Sequence, residues 1–334
     1  MNAMNEFLNI VAEINNAKKV LVLGHIMPDG DDISSVLSLT MGLEKLGKEV
    51  EAAIDWKIQS YFYELPEVQK IRNFEQVKNY DPDLIVIVDA SSPDRIGQFA
   101  QLLEKYKVIV IDHHGTNTYF GNFNWVDTSF GATAQMVLRI NKELGVKYNE
   151  RLALINLMGI QTDTGFFRYA NADERVFLDA AELIKFGASP NVISRMILEN
   201  KKIEQFRLLA TMVDHLKIDC DGLLAYSYLS SEDYAANNCT EEDSGGFVSE
   251  IRSIKGVEVA IFLSEYNPNE VHVSFRSKEW FDVSKVAVVL GGGGHPRAAG
   301  CTIEGDIKDI LEEVVKITRV TLKSESLRGR SFGN

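Results

Sequence analysis

Four short stretches of this 334-residue chain carry side chains that can hold a metal ion: His25 with Asp29 and Asp31, then Asp89, then Asp112-His113-His114, then Asp163. Hard carboxylate oxygens mixed with imidazole nitrogens suit manganese, iron, cobalt or zinc, whereas a set of thiolates would indicate structural zinc. Two such ions about 3.5–4 Å apart can share a bridging carboxylate and a hydroxide for in-line attack on phosphorus. Each stretch also has a plainer reading. Asp29-Gly30-Asp31 after Pro28 is a common turn composition. Asp89 could cap a helix beginning near Ser92, Asp163 could cap a local turn, and histidines often serve in cores and turns. What favours a site is that all four stretches follow expected strands or helices of one domain.

The elements that would position them read as follows. Val108-Ile109-Val110-Ile111 is an unbroken β-branched run, the pattern of a parallel strand covered on both faces, and such strands present ligands at their carboxyl ends. Lys19–Ile26, Val50–Ile54 and Leu84–Val88 are further strands. Between them Val36, Leu39, Leu43 and Leu46 recur at helical spacing, with Ser34 or Ser35 as the cap and Gly47 at the end. Helices follow at Ala132–Leu144 and Arg151–Gly159. Another is capped by Asp173, and helical signal continues over Pro190–Leu216. Alternating strands and helices indicate an α/β fold with a doubly wound, mostly parallel sheet. From about Leu223 the pattern changes to strands at Leu223–Leu229, Val257–Leu263 and Val271–Phe275 with helices at Val283–Leu290 and Ile307–Val320, a smaller α+β C-terminal domain. The expected division is a catalytic domain over 1–190, a helical connector over 191–216, a substrate-binding domain over 217–325 and a polar, frayed tail over 326–334, the polar character beginning near Lys323.

The second domain offers its own chemistry. Gly291, Gly292, Gly293 and Gly294 lead directly into His295. Consecutive glycines let backbone amides line a concavity for an anion, although a poly-glycine run is also a flexible connector. Arg276, at the end of a strand, has the planar fork suited to phosphate. His215 and His272 lack such company and are assigned to packing or surface. Trp56, Tyr61, Phe62 and Tyr63 form a cluster whose expected role is packing, with base stacking as the alternative.

Composition narrows the partners. A net charge of −13 argues against broad binding to long duplex nucleic acid, which requires basic patches. No apolar run approaches the roughly 20 residues needed to span a membrane, and no secretory signal is visible, so a cytoplasmic location is expected. Cys220, Cys239 and Cys301 lack paired spacing and are expected to be passive thiols.

Taken together, these motifs resemble the DHH phosphoesterase family, named for the signature that stands here as Asp112-His113-His114. His25-Ile26-Met27-Pro28-Asp29-Gly30-Asp31 is similar to its first motif, Asp89 with Arg95-Ile96-Gly97 to its second, and Gly159–Gly165 to its fourth. Arg276-Ser277-Lys278 and Gly291–His295 with Ala298-Ala299-Gly300 resemble the DHH-associated C-terminal domain. The layout is similar to the stand-alone branch of oligoribonucleases (nanoRNases), adenosine bisphosphate (pAp) phosphatases and cyclic-di-AMP phosphodiesterases. The resemblance implies a manganese-dependent hydrolase of very short nucleotides. It assigns His25, Asp29 and Asp89 to one Mn2+, and Asp31, Asp89, His113 and Asp163 to a second, with Asp89 bridging. It places His114 beside the phosphate and Asp112 behind the ligands. Hydrolysis of pApA, cyclic di-AMP or nanoRNA is then expected, by attack of hydroxide on a terminal phosphodiester. Arg276, the Gly291–Gly294 amides and His295 would hold the far nucleotide, and the cleft between the domains would act as a ruler. A pAp phosphatase is the alternative, and a non-catalytic nucleotide-binding protein a further one. A homodimer is compatible with the sequence. One departure concerns Asp32-Ile33-Ser34-Ser35, where the family usually has a small residue and then a glycine before serine. It bears on the expected shape of the loop near the substrate.

Overall fold

The computed structural model describes the backbone from Ala3 to Arg330 and side chains from Glu6 to Ser324. In chain order the helices and strands are α1 (Ala3–Asn16), β1 (Lys19–Leu23), α2 (Gly30–Lys45), β2 (Glu49–Ala53), α3 (Phe74–Val77), β3 (Leu84–Val88), β4 (Val108–Asp112), β5 (Phe123–Val126), α4 (Thr133–Glu143), α5 (Glu150–Asp163), α6 (Glu174–Lys185) and α7 (Pro190–Leu198). These belong to a first unit ending at Asn200. The second unit contains α8 (Ile203–Asp214), β6 (Lys217–Asp219), β7 (Leu224–Leu229), α9 (Ser231–Ala236), α10 (Phe247–Ser253), β8 (Val259–Ser264), β9 (Glu270–Ser277), α11 (Ser284–Val289), β10 (Gly293–His295), β11 (Ala298–Glu304) and α12 (Ile307–Arg330).

In the first unit five parallel strands pair in the order β2-β1-β3-β4-β5. Val20, Val22, Val86, Val88, Ile109 and Ile111 face one core with α2, α4 and α5. Leu21, Leu23, Ile85, Ile87, Val108 and Val110 face the other, with α3, Ile96 and Phe99. This period-2 division of fully apolar strands is why β3 and β4 read as continuous apolar runs: both faces are dry. The strand order reverses between β1 and β3, and in open α/β sheets ligands bind outside the carboxyl ends at such a switch point.

Helix α2 differs from its sequence reading in a way that matters for the site. Ser34 and Ser35 do not cap it. Asp29 is the cap, its Oδ1 accepting the amides of Asp31 at 2.9 Å and Asp32 at 3.1 Å. The helix therefore begins one turn earlier, and the two serines lie buried within it, Ser34 donating to the Ile155 carbonyl at 2.6 Å. Gly47 follows the helix with φ +79°, as its spacing suggests. Helix α5 likewise runs past Gly159 to Asp163.

Close packing of α2, α4 and α5 depends on Gly159. A Cβ there would stand 2.6 Å from the Ala134 Cβ and the Ser34 Oγ, and 2.7 Å from Asp31 Oδ1. Gly159→Ala is expected to destabilise the protein by about 2 kcal/mol, the cost of an unaccommodated methyl in a packed core. It should also lower activity by displacing Asp31. Thermal melts check this, and an unchanged melting temperature would contradict it.

The second unit is a mixed six-stranded sheet in the order β10-β11-β9-β8-β7-β6, parallel only between β7 and β8. Helices α8 and α10 cover one face, and α11 and α12 the other. The glycine run is not a free connector: Gly293–His295 pair as β10 with Ala298–Gly300 of β11. Gly292 lies so close to β11 that a Cβ would meet the Gly300 carbonyl oxygen at 2.1 Å. The backbone of α12 continues past Lys323 to Arg330, and residues 331–334 of the expected tail lie outside the described residues.

Candidate metal centre

The carboxyl ends of β1, β3 and β4 and the end of α5 bring the predicted ligands together. Three overlapping groups form: His25, Asp29 and Asp89; Asp89, His113 and His114; and Asp31, His113 and Asp163. Within each, one ligand atom per residue lies within 4.8 Å of the others. Asp89 and His113 each occur in two groups, so the set is continuous. Asp89 Oδ2 is 3.6 Å from His25 Nε2, while its Oδ1 is 3.7 Å from His113 Nε2, and His113 Nε2 is 3.6 Å from Asp163 Oδ2. These separations are too long for hydrogen bonds. They are the spacing of two donor atoms that share an ion.

The ring nitrogens turned away from this centre are tied to the protein. His25 Nδ1 is 2.8 Å from the Ile26 carbonyl, and His113 Nδ1 is 3.3 Å from the Phe130 carbonyl. Donation by Nδ1 to a carbonyl leaves Nε2 with its lone pair aimed inward, as metal-binding imidazoles require. The second motif is tied to the first by the Ile26 amide, which donates to the Arg95 carbonyl at 2.7 Å, while the Arg95 guanidinium, a donor only, packs against the protonated Nδ1 edge of His25. Asp112, fully buried at the end of β4, behaves differently. Its Oδ1 accepts the His114 amide at 3.1 Å and meets His114 Nδ1 at 2.6 Å, while its Oδ2 accepts Asn117 Nδ2 at 2.6 Å. Its oxygens are used in orienting His114.

Asp31 is held by a second helix. Ala132, the cap residue of α4, offers no side-chain acceptor, and the amides of Thr133 and Ala134 instead donate to Asp31 at 2.6 and 2.9 Å. A carboxylate at a helix N-terminus satisfies orphan donors and meets the positive end of the dipole. Thr133 Oγ1 also donates to Asp89 Oδ1 at 2.8 Å. Thr133 and Asn117 are thus supporting residues with only a slight sequence signal, whereas Arg95 belongs to the stretch that resembles the second motif. An uncapped helix start at Ala132-Thr133 is the one available hint.

Electrostatics here are those of a crowded acidic pocket. Burial, then repulsion from Asp89, Asp163 and Asp29, pushes the Asp31 carboxyl well above the ordinary range. Burial likewise raises Asp163 to about 7, with His113 acting in the opposite sense. Burial opposes the charged form of Asp89, yet His25, His114 and His113 hold its pKa below the usual value. Burial disfavours a charged His25, but Asp32, Asp89 and Asp29 together raise it to about 10. A site of four carboxylates that can be relieved only by protons or by neighbouring imidazoliums is chemically suited to divalent cations, and the mixed carboxylate and imidazole donor set fits manganese, iron, cobalt or zinc.

Left-handed backbone occurs in the same loops, as it does at several positions elsewhere in the chain. Asp89 has φ +58° and Met27 φ +56°, and after Asp163 three consecutive residues, Gly165, Phe166 and Phe167, take φ of 57°, 60° and 62°. Left-handed geometry costs a non-glycine residue roughly 1–2 kcal/mol, so the surrounding structure enforces these conformations, as is common at functional sites.

Asp32 lies inside α2 and holds the loop between β1 and α2 from behind. It is fully buried behind His25, its Oδ1 accepting the His25 amide at 2.9 Å and its Oδ2 lacking a protein partner. A Cβ at Gly24 would stand 2.3 Å from Asp32 Oδ1, so only glycine leaves room for it.

In the second unit the strand register sets Arg276 opposite Ala298, and Ala298 opposite His295. In-register residues share a face, so Arg276 and His295 flank a small alanine at about 10 Å, twice the strand spacing. The amides of Gly291 and Gly292 are already bonded to the Val288 and Ala287 carbonyls at 3.1 and 2.8 Å. Those two glycines therefore contribute conformation and close approach, not free donors.

Among the described residues, no helix is long and apolar enough to cross a membrane. The family model described as "DHH family, N-terminal domain" matches residues 19–160, and that of the DHHA1 domain matches residues 221–319. The chain is similar to the bifunctional oligoribonuclease and PAP phosphatase NrnA of Thermus thermophilus, 36% identical over 321 residues, covering 95% of each chain. In fold it is similar to an exopolyphosphatase-related protein of Bacteroides fragilis, with a TM-score of 0.86 at 23% identity and 96% coverage of both chains. It is also similar, at a TM-score of 0.55 and 13% identity, to RecJ of Thermus thermophilus in complex with Mn2+, covering 97% of this chain and 55% of that one.

Proposed function

Because this chain belongs to the DHH phosphoesterase family, with a DHHA1 domain following the DHH domain, we propose that it hydrolyses very short nucleotides, both diesters such as pApA and the monoester of pAp, using two Mn2+ ions. The observation that carries this reading is the continuous cluster in which Asp89 and His113 are each shared between metal-capable groups. His25, Asp29 and Asp89 would hold one ion, and Asp31, Asp89, His113 and Asp163 the other. Bound there, the ions supply positive charge to the phosphoryl oxygens and lower the pKa of an attacking water. The residues of the chain do the positioning. Thr133 fixes the Asp89 carboxylate, the α4 amides fix that of Asp31, and the Ile26 and Phe130 carbonyls fix the two liganding imidazoles. Asp112 engages His114 Nδ1, directing its other nitrogen to a phosphate oxygen. Arg276 and His295, with Ala298 between them, are assigned to the substrate's remaining phosphate or nucleotide, and the glycine run to close backbone approach.

A panel of pApA, cyclic di-AMP, pAp and oligonucleotides of increasing length, assayed with manganese, tests the reading. Turnover is expected to be greatest on the shortest diesters and pAp and to fall with length. Equal rates on long single strands would overturn it. Within the same panel, Arg276→Ala is expected to raise KM by about tenfold or more with a smaller change in kcat, since a charge-assisted hydrogen bond contributes roughly 1.5–3 kcal/mol. A KM unaffected by this change would remove Arg276 from the binding site.

A further inference from the structure

The aromatic cluster after β2 is not used by the metal centre, and the structure divides it. Phe62 is core, with Tyr61 tilted against it at 4.4 Å between ring centroids. Trp56 and Tyr63 remain 51% and 50% exposed and line a cavity of about 350 Å3. Ile54 and Ile71 contribute apolar lining, and Lys57 and Arg72 supply charge.

Three features mark this cavity as a binding site. Its volume is within the range of small-molecule pockets, about 300–1,000 Å3. Its lining includes two cations and no carboxylate, in a chain where 48 of 334 residues are acidic. Among the described residues neither cation has a side-chain ion pair or hydrogen bond, which leaves their charge for a ligand. The walls are also anchored. The Arg72 amide donates to the Ala52 carbonyl at 2.8 Å, and the Ile54 amide to the Arg72 carbonyl at 2.9 Å. Gln59 Nε2 donates to the Pro28 carbonyl at 2.7 Å, tying this loop to the one that carries Asp29. Asp55 accepts the Gln98 amide at 2.7 Å and fills the space beside Gly97, tying it to the second motif.

We propose that this cavity binds a nucleotide, with its base against Trp56 and Tyr63 and its phosphate on Lys57 and Arg72. Exposed aromatic faces stack any base, and nearby cations track the backbone phosphate. The occupant is either a free mononucleotide or a nucleotide of an oligonucleotide whose scissile end lies at the metal centre. The site goes beyond the reading of the metal centre and does not depend on which phosphoester is cleaved.

Photolabelling of the manganese-loaded full chain with 8-azido-adenosine 5′-monophosphate, followed by tryptic mapping, tests it. Label is expected on the peptides Glu49–Lys57 and Ile58–Lys70, competed by nucleotide and not by inorganic phosphate. Competition by AMP alone supports a mononucleotide site, and competition that strengthens from AMP to a trinucleotide supports an extended substrate path. Trp56→Ala and Arg72→Ala should each weaken the competing nucleotide by about tenfold, the size of one lost stacking contact for the first and of one lost charge-assisted hydrogen bond for the second. Melting temperatures near that of the parent confirm that both variants are folded. Absence of label on these peptides, or label indifferent to nucleotide, overturns the proposal. A chain labelled here yet inactive on the substrate panel would sink only the earlier reading.

Discussion

Asp89→Asn is expected to abolish turnover on pApA and pAp, lowering kcat by at least about 10³-fold, because both proposed ligand sets pass through this carboxylate. Its two oxygens face different partners, Oδ2 towards His25 and Oδ1 towards His113 and His114. An amide of the same shape cannot carry the charge that two cations would share, and its NH2 group would point at an imidazole. Asparagine is the informative replacement because Asp89 has φ +58°. Asparagine is among the few non-glycine residues that tolerate this conformation, whereas alanine would add backbone strain to the lost ligand. The variant should therefore stay folded, with a melting temperature close to that of the metal-free parent, and metal analysis should find fewer ions per chain. Activity within tenfold of the parent would show that Asp89 is not shared between ions. A parent inactive across the whole panel would favour a non-catalytic binding protein.

Much of the site is legible in the sequence because its ligands follow strands whose apolar runs are unambiguous. At Leu84–Val88 and Val108–Ile111 both faces are buried, and the strand ends are marked by Asp89 and Asp112. The short strands are not legible. Phe123–Val126 and Lys217–Asp219 are edge strands with mixed burial and no clear period. Gly293–His295 has no β-forming composition and pairs only because glycine permits close approach to β11. The start of α2 is obscured for a different reason. Asp29 reads as a metal ligand, and the serines at 34 and 35 are good caps by type, yet one carboxylate both caps the helix and faces the centre. The supporting contacts from Thr133, Asn117 and Asp32 join residues whose pairing local pattern does not reveal.

Chelation is expected to separate metal from fold through pH. In the metal-free protein Asp31 has a pKa well above the usual range, and Asp163 and Asp32 are raised to about 7, in each case chiefly by burial. Between the unfolded value of about 4 and these folded values, the folded chain holds more protons than the unfolded chain, so stability falls as pH rises through that window. His25 and His114, raised to about 10 and about 9 against the pull of burial by surrounding carboxylates, act in the same direction above about 6.5. Asp89, held low, acts oppositely only in strong acid. The chelated protein should therefore melt at progressively lower temperature from pH 5 to pH 8. Manganese reverses that trend, because it binds the deprotonated ligands and adds about 2.7 kcal/mol of stability at a hundredfold excess over its dissociation constant. The gap in melting temperature between manganese-loaded and chelated protein should widen with pH, and activity lost on chelation should return with manganese. A gap that is constant or narrows with pH would mean that the carboxylates of this pocket are not the groups that the metal ions displace protons from.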